Sequence, residues 1–201
     1  RVANITPLFP GGQTPDGEEA HAREVSLTEE RVSCLACGGK LRNDEIHQRY
    51  LVCPYCRFHY SMTARERIDS LADPGSFRET NRSVTSLDPL SFSTRVPYKQ
   101  RLFREQRRTG LTEAAVTGTC AIGGSPVVLI VLDFGFMGGS MGCVVGEKVA
   151  LAFEHAAKRK RPVVAVVTGG GARIQEGVLS LMQMAKTARA ATRLDEKGLA
   201  F

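Results

Sequence analysis

Glu113-AAVTGTCAI-Gly123-GSPVVLIVL-Asp133-FGFMGGSM-Gly142 is the stretch that decides the fold of this chain. Two β-rich runs, Glu113 to Ile122 and Pro126 to Leu132, are joined by Gly123-Gly124-Ser125, and so short a glycine connection predicts an antiparallel hairpin. The glycine-rich segment Gly135 to Gly142 then leads into a helix over about Val144 to Lys158, with Val145, Val149, Ala152, Phe153 and Ala156 on one face. A buried strand follows, Pro162 to Thr168, and Gly169-Gly170-Gly171-Ala172-Arg173 opens a further helix reaching about Arg193. Strand, turn, strand, helix, strand and helix in that order predict an α/β domain over 111–201.

Both glycine-rich segments fall where a strand ends and a helix begins, so unpaired N–H groups and the helix dipole there favour negative charge. Neither G-x-G-x-x-G nor G-x-x-x-x-G-K-[ST] can be read in Gly142-Cys-Val-Val-Gly146-Glu-Lys148, which argues against a dinucleotide-binding or P-loop enzyme. Three consecutive glycines after an apolar strand let two adjacent amides point at one oxygen. That is the geometry of an oxyanion hole, where each donor is worth roughly 2.7–4 kcal/mol. A close-packed turn before a helix needs the same glycines, and both readings stand. Side-chain catalysts are scarce: His21, His47 and His59 lie outside this domain, His155 sits on a helix, and Ser140 and Cys143 have no base beside them in sequence. Glu176, three residues past Arg173, is either its partner or first-turn dipole chemistry.

Upstream, Cys34-Leu-Ala-Cys37 and Cys53-Pro-Tyr-Cys56 stand fifteen residues apart. The spacing predicts a zinc ribbon over 26–62 in which Cys34, Cys37, Cys53 and Cys56 hold one tetrahedral ion. Four thiolates leave no open position, so the metal is structural; two disulfides or a redox pair are the alternatives. The ribbon has too little apolar content for a core of its own, and the metal is expected to supply most of its folding free energy. Residues 1–25 are expected to form a disordered arm. A helical linker is expected over 63–110. In it Thr63-Ala-Arg-Glu66 forms a capping box, Ile68 and Leu71 give the first helix its apolar stripe, and Asp73 to about Asp88 is connecting chain. A second helix runs from near Pro97 to Gly110, with Tyr98, Leu102 and Phe103 inward.

A chain of 201 residues, 42% hydrophobic and 24% charged, can hold one ordinary core and a small appendage. Its longest apolar run, Val127 to Leu132, is far short of a membrane span and no leader opens it, so a cytoplasmic protein with no membrane association is expected. Cys120 and Cys143 agree with a reducing compartment, and Arg1 in place of a methionine suggests a processed or trimmed chain. The net charge of +6 is concentrated in Arg95 to Arg108 and in Lys158 to Arg161. Such clusters imply an acidic partner (nucleic acid, nucleotide phosphates or an acidic protein) or are solvated helix faces.

Ribbon and glycine segments together resemble the carboxyltransferase β-subunit family of bacterial and plastid-type acetyl-CoA carboxylase. The resemblance covers 32–189 and is carried by Cys34-Leu-Ala-Cys37-Gly38, Tyr50-Leu-Val-Cys53-Pro-Tyr-Cys56, Arg67-Ile-Asp69, Asp133 to Gly142 and Gly170-Gly-Ala-Arg-Ile-Gln-Glu-Gly177. It implies a crotonase-like ββα spiral and an α subunit of the same fold, in an α2β2 assembly whose active site is shared. It further implies that the Gly170 and Gly171 amides hold the thioester oxygen of acetyl-CoA as an enolate forms. The carboxyl group then comes from carboxybiotin on a separate biotin carboxyl carrier protein, charged by biotin carboxylase in an ATP-dependent complex, and the product is malonyl-CoA for fatty acid biosynthesis. Phe134, Phe136, Met137, Gly138, Gly139, Ser140, Gly142 and Arg173 are then expected to line the acyl-CoA pocket, and the basic clusters to meet CoA phosphates. Two departures stand out: the family carries further strand–helix units past Phe201, so a fragment is expected, and it usually has Ser where this chain has Gly169. The alternatives are a nucleic-acid-binding zinc-ribbon protein, which leaves Gly169 to Arg173 unexplained, and a crotonase-fold enzyme that hydrolyses, isomerises or decarboxylates an acyl-CoA.

Overall fold

The structure is a computed structural model that describes residues 33–201; the arm expected over 1–25 lies outside them. Two knuckles come first, with Ser33 bridged to Lys40 and Val52 to His59. In each, the leading cysteine closes the turn. Cys34 donates to Gly39 O at 2.7 Å and accepts from Gly38 N–H at 2.8 Å, while Cys53 donates to Phe58 O at 2.8 Å and accepts from Arg57 N–H at 2.9 Å. Gly38 and Arg57 occupy the same left-handed place, φ 71° and 61°, which is free for glycine and costs a side-chain-bearing residue about 1–2 kcal/mol. Between the knuckles runs α1 (Glu45–Tyr50), capped by the Asp44 carboxylate on His47 N–H at 2.8 Å. Leu41, Cys34, Cys53 and Tyr60 are the whole apolar cluster here among the described residues, as thin as the composition implied.

Helix α2 (Ala64–Leu71) starts with both halves of the expected capping box: Thr63 N–H donates to Glu66 Oε2 at 2.7 Å, and Thr63 Oγ1 accepts from Glu66 N–H at 3.3 Å. The connecting chain expected from Asp73 to Asp88 is a correction, because it supplies an edge strand, β1 (Arg78–Thr80). Asp73 recruits it: the carboxylate accepts Gly123 and Gly124 N–H at 2.9 and 2.8 Å, and its own N–H donates to Ala121 O at 2.8 Å, so the chain is pinned to the hairpin before it reaches Arg78. Helix α3 (Tyr98–Thr109) follows Pro97 and stops at Gly110, φ 69°. Tyr98 and Leu102 are buried as expected, whereas Phe103 faces solvent, where Arg107 lies over its ring.

Strands β2 (Ala115–Ile122) and β3 (Ser125–Leu132) form the predicted hairpin around Gly123 and Gly124, both with positive φ, the two-residue turn that matches strand twist. The crossover helix α4 (Cys143–Arg159) returns the chain to β4 (Val163–Val166), parallel to β3, and gives the sheet order β1-β2-β3-β4. Val145, Val149, Ala152, Phe153 and Ala156 are all buried. Consecutive residues Val127 to Leu132 are buried too, so β3 is covered on both faces. The last helix corrects the sequence reading. A 3-10 turn (Ile174–Glu176) intervenes, and α5 (Gly177–Asp195) begins at Gly177, so the triple glycine stands ahead of the helix rather than at its first turn. Val167, Leu181, Met182, Met184 and Phe201 are exposed apolar residues just past β4, on α5 and at the last residue. No helix among the described residues is long and apolar enough to cross a membrane.

Lys148 of α4 is buried, its Nζ donating to Thr112 Oγ1 at 2.9 Å and Ala115 O at 3.3 Å. Burial pulls its ammonium below the ordinary value of 10.5, with Glu113 and Glu79 opposing. Between that lowered value and 10.5 the unfolded chain binds more protons than the folded one, so stability is expected to rise with pH in that window. Urea midpoints across it should show the rise in the wild type and its loss in Lys148→Met.

Candidate functional site

The four sulfurs of Cys34, Cys37, Cys53 and Cys56 lie within 4.8 Å of one another, with Cys34–Cys56 and Cys37–Cys53 at 3.7 Å. A tetrahedron with metal–sulfur bonds of about 2.3 Å has edges of about 3.8 Å, so the donor set fits a four-thiolate metal site. No S–S bond forms among them, which sets aside the disulfide alternative. Cys34 and Cys53 are buried and Cys37 and Cys56 exposed, a closed corner at the surface of the ribbon.

Past the ends of β3 and β4 the two glycine segments lie backbone to backbone. Gly170 N–H donates to Gly138 O at 2.8 Å, Met141 N–H to Gly171 O at 2.8 Å, and Arg173 N–H to Met141 O at 2.9 Å. A Cβ on Gly139 would overlap Thr168 O, and one on Gly169 would come within 2.8 Å of Gly139 O, so this approach accounts for glycine at 169. The expectation of two free adjacent amides at a helix start is corrected on both counts. Gly170 has spent its hydrogen on Gly138, and the segment is loop. Gly171, exposed at φ 89°, keeps an N–H with no hydrogen bond among the described residues.

Arg173 is 1% exposed, and every guanidinium nitrogen is engaged. Nη2 and Nη1 make a two-pronged ion pair with Glu113 at 2.6 and 2.9 Å; Nη1 also donates to Tyr98 Oη at 3.0 Å, Nε to Ser140 Oγ at 3.1 Å and Nη2 to Ser140 O at 2.8 Å. Expected to meet substrate, Arg173 instead joins both glycine segments to α3 and to the entry of β2. Glu113, fully buried, also accepts Ala114 N–H at 2.8 Å and the Ser86 hydroxyl. The sequence reading passed over Glu113; its one signal was a carboxylate directly ahead of an apolar strand, a place that a buried cation has to explain.

The first turn of α4, expected to attract an outside anion, is already occupied from within. Glu176 Oε2 accepts Cys143 N–H at 2.5 Å and Oε1 accepts the Tyr98 hydroxyl at 2.5 Å. Burial pushes the Glu176 carboxyl up, but the Cys143 backbone and thiol, Tyr98 and Arg173 outweigh it and hold it below its ordinary value. Burial and the same carboxylate push the Cys143 thiol up to about 11, which removes it as a nucleophile near neutrality. Of the other expected pocket residues, Phe136 is fully buried beneath Arg173, and Gly139 and Gly142 are buried as well, so these three shape the loop from inside. Phe134, 61% exposed, and the half-buried Met137, Gly138 and Ser140 remain at the surface of the segment.

A hairpin, a helical crossover to a parallel strand and two interlocked glycine loops, preceded by a four-cysteine ribbon, define the N-terminal part of a crotonase-like carboxyl transferase fold. The chain belongs to the carboxyl transferase domain family, whose model matches residues 60–199. It is 48% identical over 170 residues to the acetyl-coenzyme A carboxylase carboxyl transferase subunit beta of Desulforamulus reducens, covering 85% of this chain and 58% of that protein. It is also 48% identical over 170 residues to the subunit of the same name from Thermus thermophilus, covering 85% and 59%. The chain thus spans less than two thirds of the length of these relatives. Among solved structures it is similar to transcarboxylase 12S with methylmalonyl-coenzyme A bound, at 31% identity and TM-score 0.54 over 78% of this chain and 26% of that one. A Pseudomonas malonate decarboxylase hetero-tetramer in complex with malonate matches at 28% identity and TM-score 0.52, over 67% and 47%.

Proposed function

We propose that this chain is the carboxyltransferase component of an acetyl-CoA carboxylase. The observation that carries the reading is the exposed, unspent N–H of Gly171 in a turn clamped by Gly170 to Gly138 and by Arg173 to Ser140. A donor fixed in this way is set before charge develops, so it stabilises an oxygen that becomes negative in the transition state without having to reorganise. The thioester oxygen of acetyl-CoA is that oxygen as a proton leaves the methyl group and an enolate forms. Gly171 acts as donor, and Gly170 sets its direction through the bond to Gly138. Carboxybiotin on a separate carrier protein supplies the carboxyl group that converts the enolate to malonyl-CoA. Phe134, Met137, Gly138 and Ser140 border the acyl end.

Zinc is the metal that four thiolates of this spacing suit, and its role is structural. A carboxyltransferase α subunit, a biotin carboxyl carrier protein and biotin carboxylase complete the activity, in an α2β2 transferase core working in the cytoplasm. Gly171→Val, whose φ strains any side chain while the space around it is open, is expected to lower malonyl-CoA formation by about a hundredfold or more. The assay uses the full-length chain assembled with its α partner, and metal content should stay unchanged. Wild-type turnover in the variant overturns the assignment. Omitting the biotin carrier separates the decarboxylase reading, for which the malonate decarboxylase likeness speaks, because decarboxylation of malonyl-CoA then continues and carboxyl transfer stops.

A further inference from the structure

We infer that the cavity between α2 and the carboxyl ends of β3 and β4 is an oxyanion subsite in which Arg67 holds an anionic group of the acyl-CoA, either a phosphate of the carrier or the carboxylate of the product. The inference rests on the acyl-CoA reading above and adds a residue from the chain that joins ribbon to sheet. The cavity is about 250 Å³. Thr63, the N-cap of α2, and Arg67, one turn into the helix, line it from that side; Leu132 and Val166 line it at the strand ends, and Phe134 and Thr168 just beyond them. Ligands of open α/β sheets settle outside the carboxyl ends of the strands, which is where this space lies.

Three charged groups on or against α2 are engaged. Arg65 pairs with Glu79 at 2.6 Å. Glu66 Oε2 is occupied by the capping box, accepting Thr63 N–H at 2.7 Å and the Thr63 hydroxyl at 2.9 Å. Asp133 has both oxygens filled by backbone, Ala64 N–H at 2.6 Å and Gly135 N–H at 2.7 Å. Arg67 is half-buried as a residue, and its guanidinium has neither ion pair nor hydrogen bond among the described residues. A forked donor on a cavity wall with no protein partner is free to meet a ligand, and the fork matches a phosphate or carboxylate.

Its position is held firmly. Asp133 follows β3 directly, and by capping the first turn of α2 it fixes that helix, and so Arg67, against the strand end. Thr168, whose hydroxyl donates to Leu132 O at 2.7 Å, is the last residue before the triple glycine, so a group in the cavity lies beside the turn that carries the Gly171 donor. The apolar strand ends and Phe134 give the rest of an amphiphilic ligand a surface to cover.

Calorimetric titration of the assembled full-length enzyme with acetyl-CoA and with malonyl-CoA tests this, using the wild type, Arg67→Gln and Arg67→Lys. Arg67→Gln is expected to weaken binding about tenfold or more, and Arg67→Lys to restore part of it by keeping the charge without the fork. Thermal midpoint and metal content should stay at wild-type values. Equal weakening of both ligands assigns the contact to a phosphate, and weakening of malonyl-CoA alone assigns it to the carboxylate. Wild-type affinity for both ligands in Arg67→Gln overturns the subsite and leaves the acyl-CoA reading intact. A wild-type enzyme that binds neither ligand overturns that reading and the subsite with it.

Discussion

Chelation of the metal, or Cys53→Ser, is expected to unfold residues 33–60 while the sheet and α4 stay folded. The reason is the size of what remains when the sulfurs lose their common centre. Leu41 and Tyr60 are the apolar residues packed with Cys34 and Cys53, the two knuckles make one β-bridge each, and α1 has six residues, too few for a stable isolated helix. Arg57 adds left-handed strain to the second knuckle. Against this, a structural zinc contributes an apparent 10–16 kcal/mol, roughly, in peptides of comparable size. Amide hydrogen exchange before and after chelation measures the effect region by region, which suits a chain whose two parts need not unfold together. Protection should vanish from 33–60 and persist in β2, β3 and α4. Ribbon amides that stay protected in metal-free protein would show that its side chains suffice, against the thin core described above.

Where local chemistry is written in neighbouring residues, the sequence was a good guide. The cysteine pairs, the Thr63–Glu66 capping box, the glycine hairpin and the buried stripe of α4 each depend on a spacing that can be counted, and each is found close to where it was expected. What escaped depends on partners distant in the chain. Arg78 to Thr80 is ordinary connecting sequence until Asp73 ties it to Gly123 and Gly124, fifty residues on. Arg173 looks like a substrate ligand until Glu113, sixty residues earlier, is seen to take both its prongs. The α4 N-terminus looks like an anion site, which it is, but Glu176 from the far side of β4 fills it. Unpaired N–H groups and buried charges seek partners, and a folded chain finds them internally before any ligand arrives. The groups left over are therefore the informative ones, and the Gly171 N–H and the Arg67 guanidinium are two of them.

Arg173→Met should destabilise the fold by about 3–5 kcal/mol, the usual result of removing one member of a buried ion pair. Glu113 would be left without its cation at no solvent exposure, with Ala114 N–H and the Ser86 hydroxyl as its remaining donors among the described residues, and Glu176 would lose its nearby cation while still holding Tyr98 and Cys143. Adding Glu113→Leu removes the stranded carboxylate, so the double variant is expected to be more stable than Arg173→Met alone, with a coupling of about 0.5–3 kcal/mol between the two sites. Turnover should behave differently. Ser140 O and Ser140 Oγ lose their donors in both variants, so the loop carrying Gly138 is held to the second glycine segment by backbone bonds alone, and the Gly171 amide is fixed less firmly even where stability returns. Urea midpoints and malonyl-CoA formation measured side by side separate the two effects. Recovery of stability without recovery of rate places the network in the positioning of the turn. Recovery of both would mean that the fold alone holds the glycines in place. Full stability in Arg173→Met itself would mean that this buried ion pair contributes nothing measurable to the fold.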